Sequence, residues 1–462
     1  VLALADHRIS LADALPLPPA APVLEVAFVG CCPSGALDAR AQRAVSELGF
    51  APNADGFNQP VPIDDWGTFR ALYGATPVPP SIDPLPGQSI WLPQAVADFF
   101  AAGGRRAWII RIAPTADLTA YVPDDAPVPG FGPPARGIVA AAAIPSAGLV
   151  VLPDLERLAA VPEVVTQLPP PLPPITPEFR PLSAPPPDRP IPARSGGIAA
   201  GAPAPFVADL LGRISRTLAR LRPDMQCLFS LPVGLDQTTS PHVLADTAIR
   251  LLFGAATSVA DRPGLQVLAP LLRDDTGAVL TPSGMLAGTI AAEAERTGPW
   301  RSIAGQLLPG ARAPLRQIGD DVAATLSARG IGVVQLTASG IVLNDEVLAM
   351  PLTPSLRAAG TQRFIGWLSR ELRRFGEQLV FEVGLADDGR VGLALNGFFA
   401  TLFERGALRG RRLADAVSIQ PAAAPEGSIA YDIGFAPAYA IETMWLRFVQ
   451  TTTGAVVQVV MP

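Results

Sequence analysis

The residues able to do chemistry are sparse and scattered. His7 and His242 are the only imidazoles, and neither falls in a metal-ligand spacing such as HExxH. Ser34 and Ser283 each stand in a Pro-Ser-Gly triplet, without the GxSxG turn that presents a nucleophile. Carboxylates recur as adjacent pairs at Asp64-Asp65, Asp124-Asp125, Asp274-Asp275, Asp320-Asp321 and Asp387-Asp388. Neighbouring carboxylates on loops form turns and helix caps more often than converging acid-base pairs or metal sites. After the apolar run 23–30, GCCPSG has the wrong glycine spacing for a dinucleotide loop, and no GxxxxGKS/T phosphate loop occurs. Cys31, Cys32 and Cys227 form neither CxxC pairs nor a disulfide framework, which fits synthesis in a reducing compartment. No catalytic, cofactor-binding or metal-ligating residue is expected, and no cofactor.

One charge pattern stands out. In RFIGWLSRELRRFG, Arg363, Arg370, Arg373 and Arg374 are offset only by Glu371. Two readings remain open: a solvated helix face, or an electrostatic contact with a partner, since polar rims add specificity without a large apolar interface. A net charge of -6 without a basic run argues against a nucleic-acid surface.

The elements that position these residues point to an α/β architecture. At 462 residues the chain exceeds one ordinary core, so two or three packed units are expected. Charged residues make up only 16%, against roughly 25% in typical soluble domains, so neighbouring subunits would usefully cover the surface. VLEVAFVG (23–30) reads as a buried strand, followed by a loop to about residue 62. IDDWGTFRALYG (63–74) reads as a helix with an acidic start. Residues 91–112 read as a helix, a Gly-Gly stop and a strand. GLVVLPDL is a strand entering a short acidic turn, and the proline-rich run 167–197 is an irregular excursion. Further on, 206–221 and PHVLADTAIRLLFGAA are helices, the latter capped by Ser240, while MQCLFSLPVGLD and LQVLAPLL are strands. GIGVVQLTASGIVL and EVLAMPL are expected strands. Residues 361–383 form a long helix leading into a strand, 393–408 another helix, and AIETMWLRFVQ and AVVQVVM two closing strands. The most apolar stretch, 138–152, is broken by Pro145 and Gly148 and is too short to span a membrane. The first 22 residues lack the order of a signal peptide.

In their order along the chain, several segments resemble the contractile tail sheath family of contractile phages, contractile bacteriocins and extracellular injection systems. They are VLEVAFVGCCPSG, IDDWGTFRALYG and AVADFFAAGGRRAWIIRI near the start, then LTPSGMLAGTIAAEAERTGPWRSIAG and TQRFIGWLSRELRRFGEQLVFEV, and last the terminal hairpin. VLAPLL and LNDEVLAMPL depart from the aromatic strand and the Trp-Gly-Ala-Arg-Thr segment that the family carries there.

The resemblance implies a discontinuous sheath core, 22–115 and 260–440, around an inserted outward-facing domain, 116–259. An extended arm, 1–21, and a C-terminal hairpin, 441–462, would link subunits, with Leu2, Leu4, Trp445, Phe448, Val457 and Val459 in the linking strands. Arg363, Arg370, Arg373 and Arg374 would face an inner tube. Implied partners are further copies of the chain in stacked rings or a helical sheath, the inner tube protein, and baseplate and terminator or cap proteins; no direct nucleic-acid role is implied. Assembly would occur in the bacterial cytoplasm, with the mature subunit in a virion or injection particle. Competing readings are a specialised baseplate-proximal or accessory paralogue, a soluble α/β enzyme and a cell-surface binding module.

Overall fold

The computed structural model describes residues 23–35, 37–74, 90–113, 118–123, 135–159, 204–233, 240–254, 262–273, 279–310, 312–349, 354–382, 388–424, 426, 428–438, 444–451 and 454–460. The arm with Leu2 and Leu4, and the proline-rich run 167–197, lie outside these residues.

The strands, in chain order, are β1 (Glu25–Cys31), β2 (Pro60–Ile63), β3 (Ala107–Ile112), β4 (Ala147–Val151), β5 (Gln226–Ser230), β6 (Leu265–Ala269), β7 (Leu272–Arg273) and β8 (Val279–Leu280). They continue as β9 (Ala313–Pro314), β10 (Ile331–Thr337), β11 (Gly340–Leu343), β12 (Val417–Ala422), β13 (Ile429–Phe435), β14 (Met444–Thr451) and β15 (Gly454–Val460). The helices are α1 (Ala39–Glu47), α2 (Trp66–Tyr73), α3 (Leu92–Ala101), α4 (Ile138–Ala142), α5 (Pro153–Ala159), α6 (Ala204–Leu221) and α7 (Pro241–Phe253). The rest are α8 (Ser283–Arg296), α9 (Asp320–Ala328), α10 (Pro354–Arg357), α11 (Ala359–Glu382), α12 (Asp388–Glu404) and α13 (Leu413–Ala416).

Eight strands form the main sheet in the order β11-β10-β6-β5-β4-β1-β3-β2, parallel except for antiparallel edges at β2 and β11. Every position of β1 is buried because helices cover both faces of the sheet, which is why the run reads as continuously apolar. Ala27, Val29 and Cys31 pack with residues of α4, α6, α7 and α9; Val26 and Phe28 pack on the other face with residues of α3 and α8. A small antiparallel sheet, β8-β7-β9, flanks this layer. The second unit is a four-stranded antiparallel sheet, β12-β13-β14-β15, packed with α11 and α12 around its own core.

Four expectations change. The stretch 116–259 is not set apart as an inserted domain: β4 and β5 lie in the middle of the main sheet, every one of their residues buried. The expected loop to residue 62 contains α1, capped by the Asp38 carboxylate accepting from Ala41 N at 2.7 Å, and β2. At 346–349 there is no strand, only an isolated bridge from Val347 to Ala358, and the Glu346 side chain is buried. The long helix does not give way to a strand after its arginines but runs on to Glu382.

Helices α3 and α8 touch through glycine. A Cβ on Gly284 would lie 2.2 Å from the carbonyl oxygen of Ala95, and one on Gly288 2.3 Å from that of Phe99. The small residues of PSGMLAG thus permit backbone-to-backbone approach. By contrast, Gly397 on α12 has open space where its Cβ would be. Alanine is the better helix former by about 1 kcal/mol, so Gly397→Ala should raise the urea midpoint of unfolding. Gly288→Ala should lower it, by about 1–3 kcal/mol of overpacking; a stabilised Gly288→Ala would refute the close contact.

Candidate functional site

Helix α11 lies between the two units rather than on the surface. Phe364, Trp367, Leu368, Leu372 and Phe375 turn into the C-terminal core with Leu395, Phe398, Phe399, Ile433, Leu446 and Phe448. Its Arg363 and Arg370 turn the other way, toward the main-sheet unit.

This placement corrects the reading of the four arginines as one tube-facing set. Arg363 is buried at 2% exposure, and its Nη1 donates to Glu346 Oε1 at 2.6 Å. Arg363 also donates to the carbonyls of Pro299 and Arg301, while the second Glu346 oxygen accepts from Ile303 N at 2.9 Å. This pair therefore ties α11 to the Gly-Pro-Trp segment inside the subunit. Arg370 is also enclosed: its Nη1 donates to the Asp224 carbonyl at 2.6 Å and to Asp224 Oδ2 at 3.2 Å.

Asp224 sits just before β5 and gathers three guanidinium groups. Arg222 holds it in a fork, Nε to Oδ1 at 3.0 Å and Nη2 to Oδ2 at 2.9 Å, and donates further to the carbonyls of Ala142, Ile144 and Ala147. Arg373 stands 3.6 Å from Oδ1. Burial alone would raise the Asp224 carboxyl, but the hydrogen bonds and charge of Arg222, then the charges of Arg370 and Arg373, hold it down to about 2. Burial pushes Arg370 down to about 10, which leaves it charged at neutral pH. The chain contains no lysine, so all 35 of its Lys/Arg positions are arginine and every such contact uses the flat, forked guanidinium.

The exposed part of the basic pattern is small. Arg374 is exposed and Arg373 half-buried; with Glu371 and Glu377 they line one wall of a groove of about 920 Å³ whose other wall carries Arg105, Arg106, Asp64 and Glu295. Burial raises the Glu371 carboxyl, the charges of Arg374 and Arg370 offsetting it in part. The groove is open and mixed in sign, a surface suited to a protein contact.

The C-terminal strands divide between core and surface. Phe448 and Val457 face each other across β14 and β15 and are buried, so both are core residues rather than linking contacts. Trp445 lies on the opposite face, its ring over Gly434. Val456 and Val459 are half exposed on β15, the last strand of the sheet order. β14 is covered on its other side by β13, so the expected free hairpin is half of a larger sheet. Sequence reasoning assigned no element to 417–435, although Ile429, Tyr431, Ile433 and Phe435 alternate with the period of a half-buried strand.

Two further carboxylates are fully enclosed near the C-terminal ends of the parallel strands. Asp154 accepts from Cys31 N at 2.8 Å and from Trp91 N at 2.6 Å. Glu156 accepts from Ser230 N at 3.0 Å and from Ser283 Oγ at 2.5 Å, and bonds the Thr281 hydroxyl. Neither lines the charged groove. Among the described residues no three His, Cys, Asp or Glu side chains are grouped to hold a metal, and no helix is long and apolar enough to cross a membrane. The signal for this pair was present in LVVLPDLERLAA, where acids stand inside an otherwise apolar segment.

Asp154, Glu156 and Asp224 are thus sealed within a doubly wound sheet that a buried helix joins to an antiparallel sheet. No family profile matches the chain, and no curated protein matches it in sequence. Solved structures match it over nearly its whole length. The sheath of the PVC extracellular contractile injection system, in the contracted state, aligns at TM-score 0.56 and 14% identity, covering 96% of this chain and 97% of the other. The contracted helical sheath of the anti-feeding prophage aligns at 0.57 and 15%, covering 95% of each. The anti-feeding prophage baseplate aligns at 0.55 and 15%, covering 92% of each. The chain has the fold of contractile sheath proteins.

Burial raises the Glu156 carboxyl from 4.5 to about 8, its hydrogen bonds from Ser283, Thr281 and Ser230 lowering it only in part. The folded chain then keeps a proton that the unfolded chain has released, so stability falls as pH rises between those two values. Urea unfolding of the wild type should lose up to about 1.4 kcal/mol per pH unit more steeply across that window than Glu156→Gln, whose amide stays neutral. Equal slopes would show that Glu156 is ionised in the fold.

Proposed function

We propose that this chain is the repeating sheath subunit of a contractile injection particle. It polymerises around an inner tube and shortens by rearrangement of subunits, driving the tube through a target envelope. The observation that carries this reading is the match in both directions over nearly the full length of helical sheath subunits, with no unmatched domain on either side. The internal construction supports it: the buried Arg363–Glu346 and Arg370–Asp224 pairs fasten the two units together, so that a rearranging lattice would move whole subunits. The free energy of contraction then comes from changed contacts between subunits, and each needs only a small share because many are coupled.

The linking surface in this reading is the edge of β15, which pairs with no further strand among the described residues and whose outer backbone groups can take a strand from a neighbour. The arm 1–21, which contains Leu2 and Leu4, is the proposed donor. An inner tube, a baseplate and a cap are the remaining partners, with assembly in the bacterial cytoplasm before the particle is released. A second reading, a sheath-like component confined to the baseplate, is favoured by the match to the anti-feeding prophage baseplate.

Electron cryo-microscopy of particles produced from this chain with its genomic neighbours separates the two. A tubular lattice supports the main sheath, a single basal ring supports the second reading, and dispersed monomers would overturn both. Val456→Lys with Val459→Lys should give a folded subunit that no longer sediments as polymer, since charge on an edge strand blocks pairing. Arg374→Glu, at the exposed position of the helix, should leave the fold intact and weaken co-purification with the tube protein, most clearly at low salt; unchanged co-purification would remove this arginine from the tube contact.

A further inference from the structure

The parallel strands run in the spatial order β3-β1-β4-β5-β6-β10. After β3 the chain crosses back over β1 to form β4, so strand order reverses between β1 and β4. In open α/β sheets the crevice beyond the C-terminal ends of two such strands is where ligands, commonly anionic, settle. Here it is filled. Asp154, one turn beyond β4, has no exposure at all, and its carboxylate accepts from the backbone N–H of Cys31 at the end of β1. It also accepts from Trp91 and Leu92, the first N–H groups of α3, a helix whose own N-cap side chain makes no capping bond. Helix N-termini favour an anion at this position. A second side chain points to the same charge. Arg157 is 3% exposed, its Nε lies 3.7 Å from Asp154 Oδ1, and that Nε has no hydrogen-bond partner. Gly30 keeps the place clear, since a Cβ there would lie 2.5 Å from Asp154 Oδ2.

We infer that Asp154 is a built-in ligand: its carboxylate occupies an anion site formed by the Cys31, Trp91 and Leu92 amides and Arg157, in the crevice where a doubly wound fold would otherwise take a soluble anion. The side chain holds β1, β4 and α3 in register from inside. The site recognises a small carboxylate, and the chain supplies that carboxylate itself.

Removing the side chain should therefore expose a working anion site. In Asp154→Ala the loss of charge-assisted bonds should raise the unfolding equilibrium constant of the full chain by about 10- to 100-fold. Sodium formate should restore the urea midpoint saturably, while sodium chloride at equal ionic strength should not. The wild type, and Asp154→Asn whose amide still fills the space, should respond to the two salts alike. If Asp154→Ala does not fold in chloride, refolding in formate is the readout, and recovery there supports the inference. An Asp154→Ala chain as stable as wild type overturns it, as does one that formate and chloride affect equally.

Discussion

Asp224 holds charge for arginines from two parts of the chain, and the position of α11 depends on it. Arg222 belongs to the turn that enters β5, Arg370 and Arg373 to α11, and the carboxylate lies between them. Desolvating these groups is expensive, and a buried ion pair often stabilises no more than apolar residues of the same shape would. What it adds is position. Guanidinium groups that must satisfy both a carboxylate and several carbonyls accept few alternative placements, so α11 cannot slide along the sheet without leaving charge unpaired. The Arg363–Glu346 pair repeats the constraint two turns earlier on the helix.

With α11 fixed on one side, its other side organises the C-terminal core. Phe364 and Trp367 pack on each other and on Trp300, Phe364 also on Phe435, and Phe375 packs on Phe398 and Phe448. The sheet that carries β15 is thereby held at a defined place relative to the doubly wound layer. In the proposed role of transmitting force this rigidity would matter, because strain absorbed between the subunit's own units would be lost to the lattice.

Much of this was legible in the sequence where local pattern and tertiary environment agree. The fully buried strands β1, β3 and β4 announce themselves as apolar runs, and α3, α6 and α7 by their spacing and stops. The division into sheets was less legible, because β4 and β5 resemble the other strands in composition and only pairing shows that they are central. The arginines show the limit most clearly. Their helix and its charge were readable, but a buried guanidinium looks in sequence like an exposed one until its carboxylate is known, and Asp224 and Glu346 are distant in the chain. The same distance hid Asp154 and Glu156, whose amide and hydroxyl partners come from separate elements.

If β15, an edge strand among the described residues, links subunits as proposed, it has a consequence for how large an assembly grows. A strand edge that accepts one neighbour and passes the same offer onward is head-to-tail, and such contacts close into a ring where the rotation between copies allows it and otherwise run on as a filament. In the proposed filament every added copy would present the next with the same unfinished ladder, so this edge by itself would not count how many have come before. In the proposed filament, length would then not be set by this edge: it would be measured by whatever the polymer is built along and stopped by something that fills the last edge.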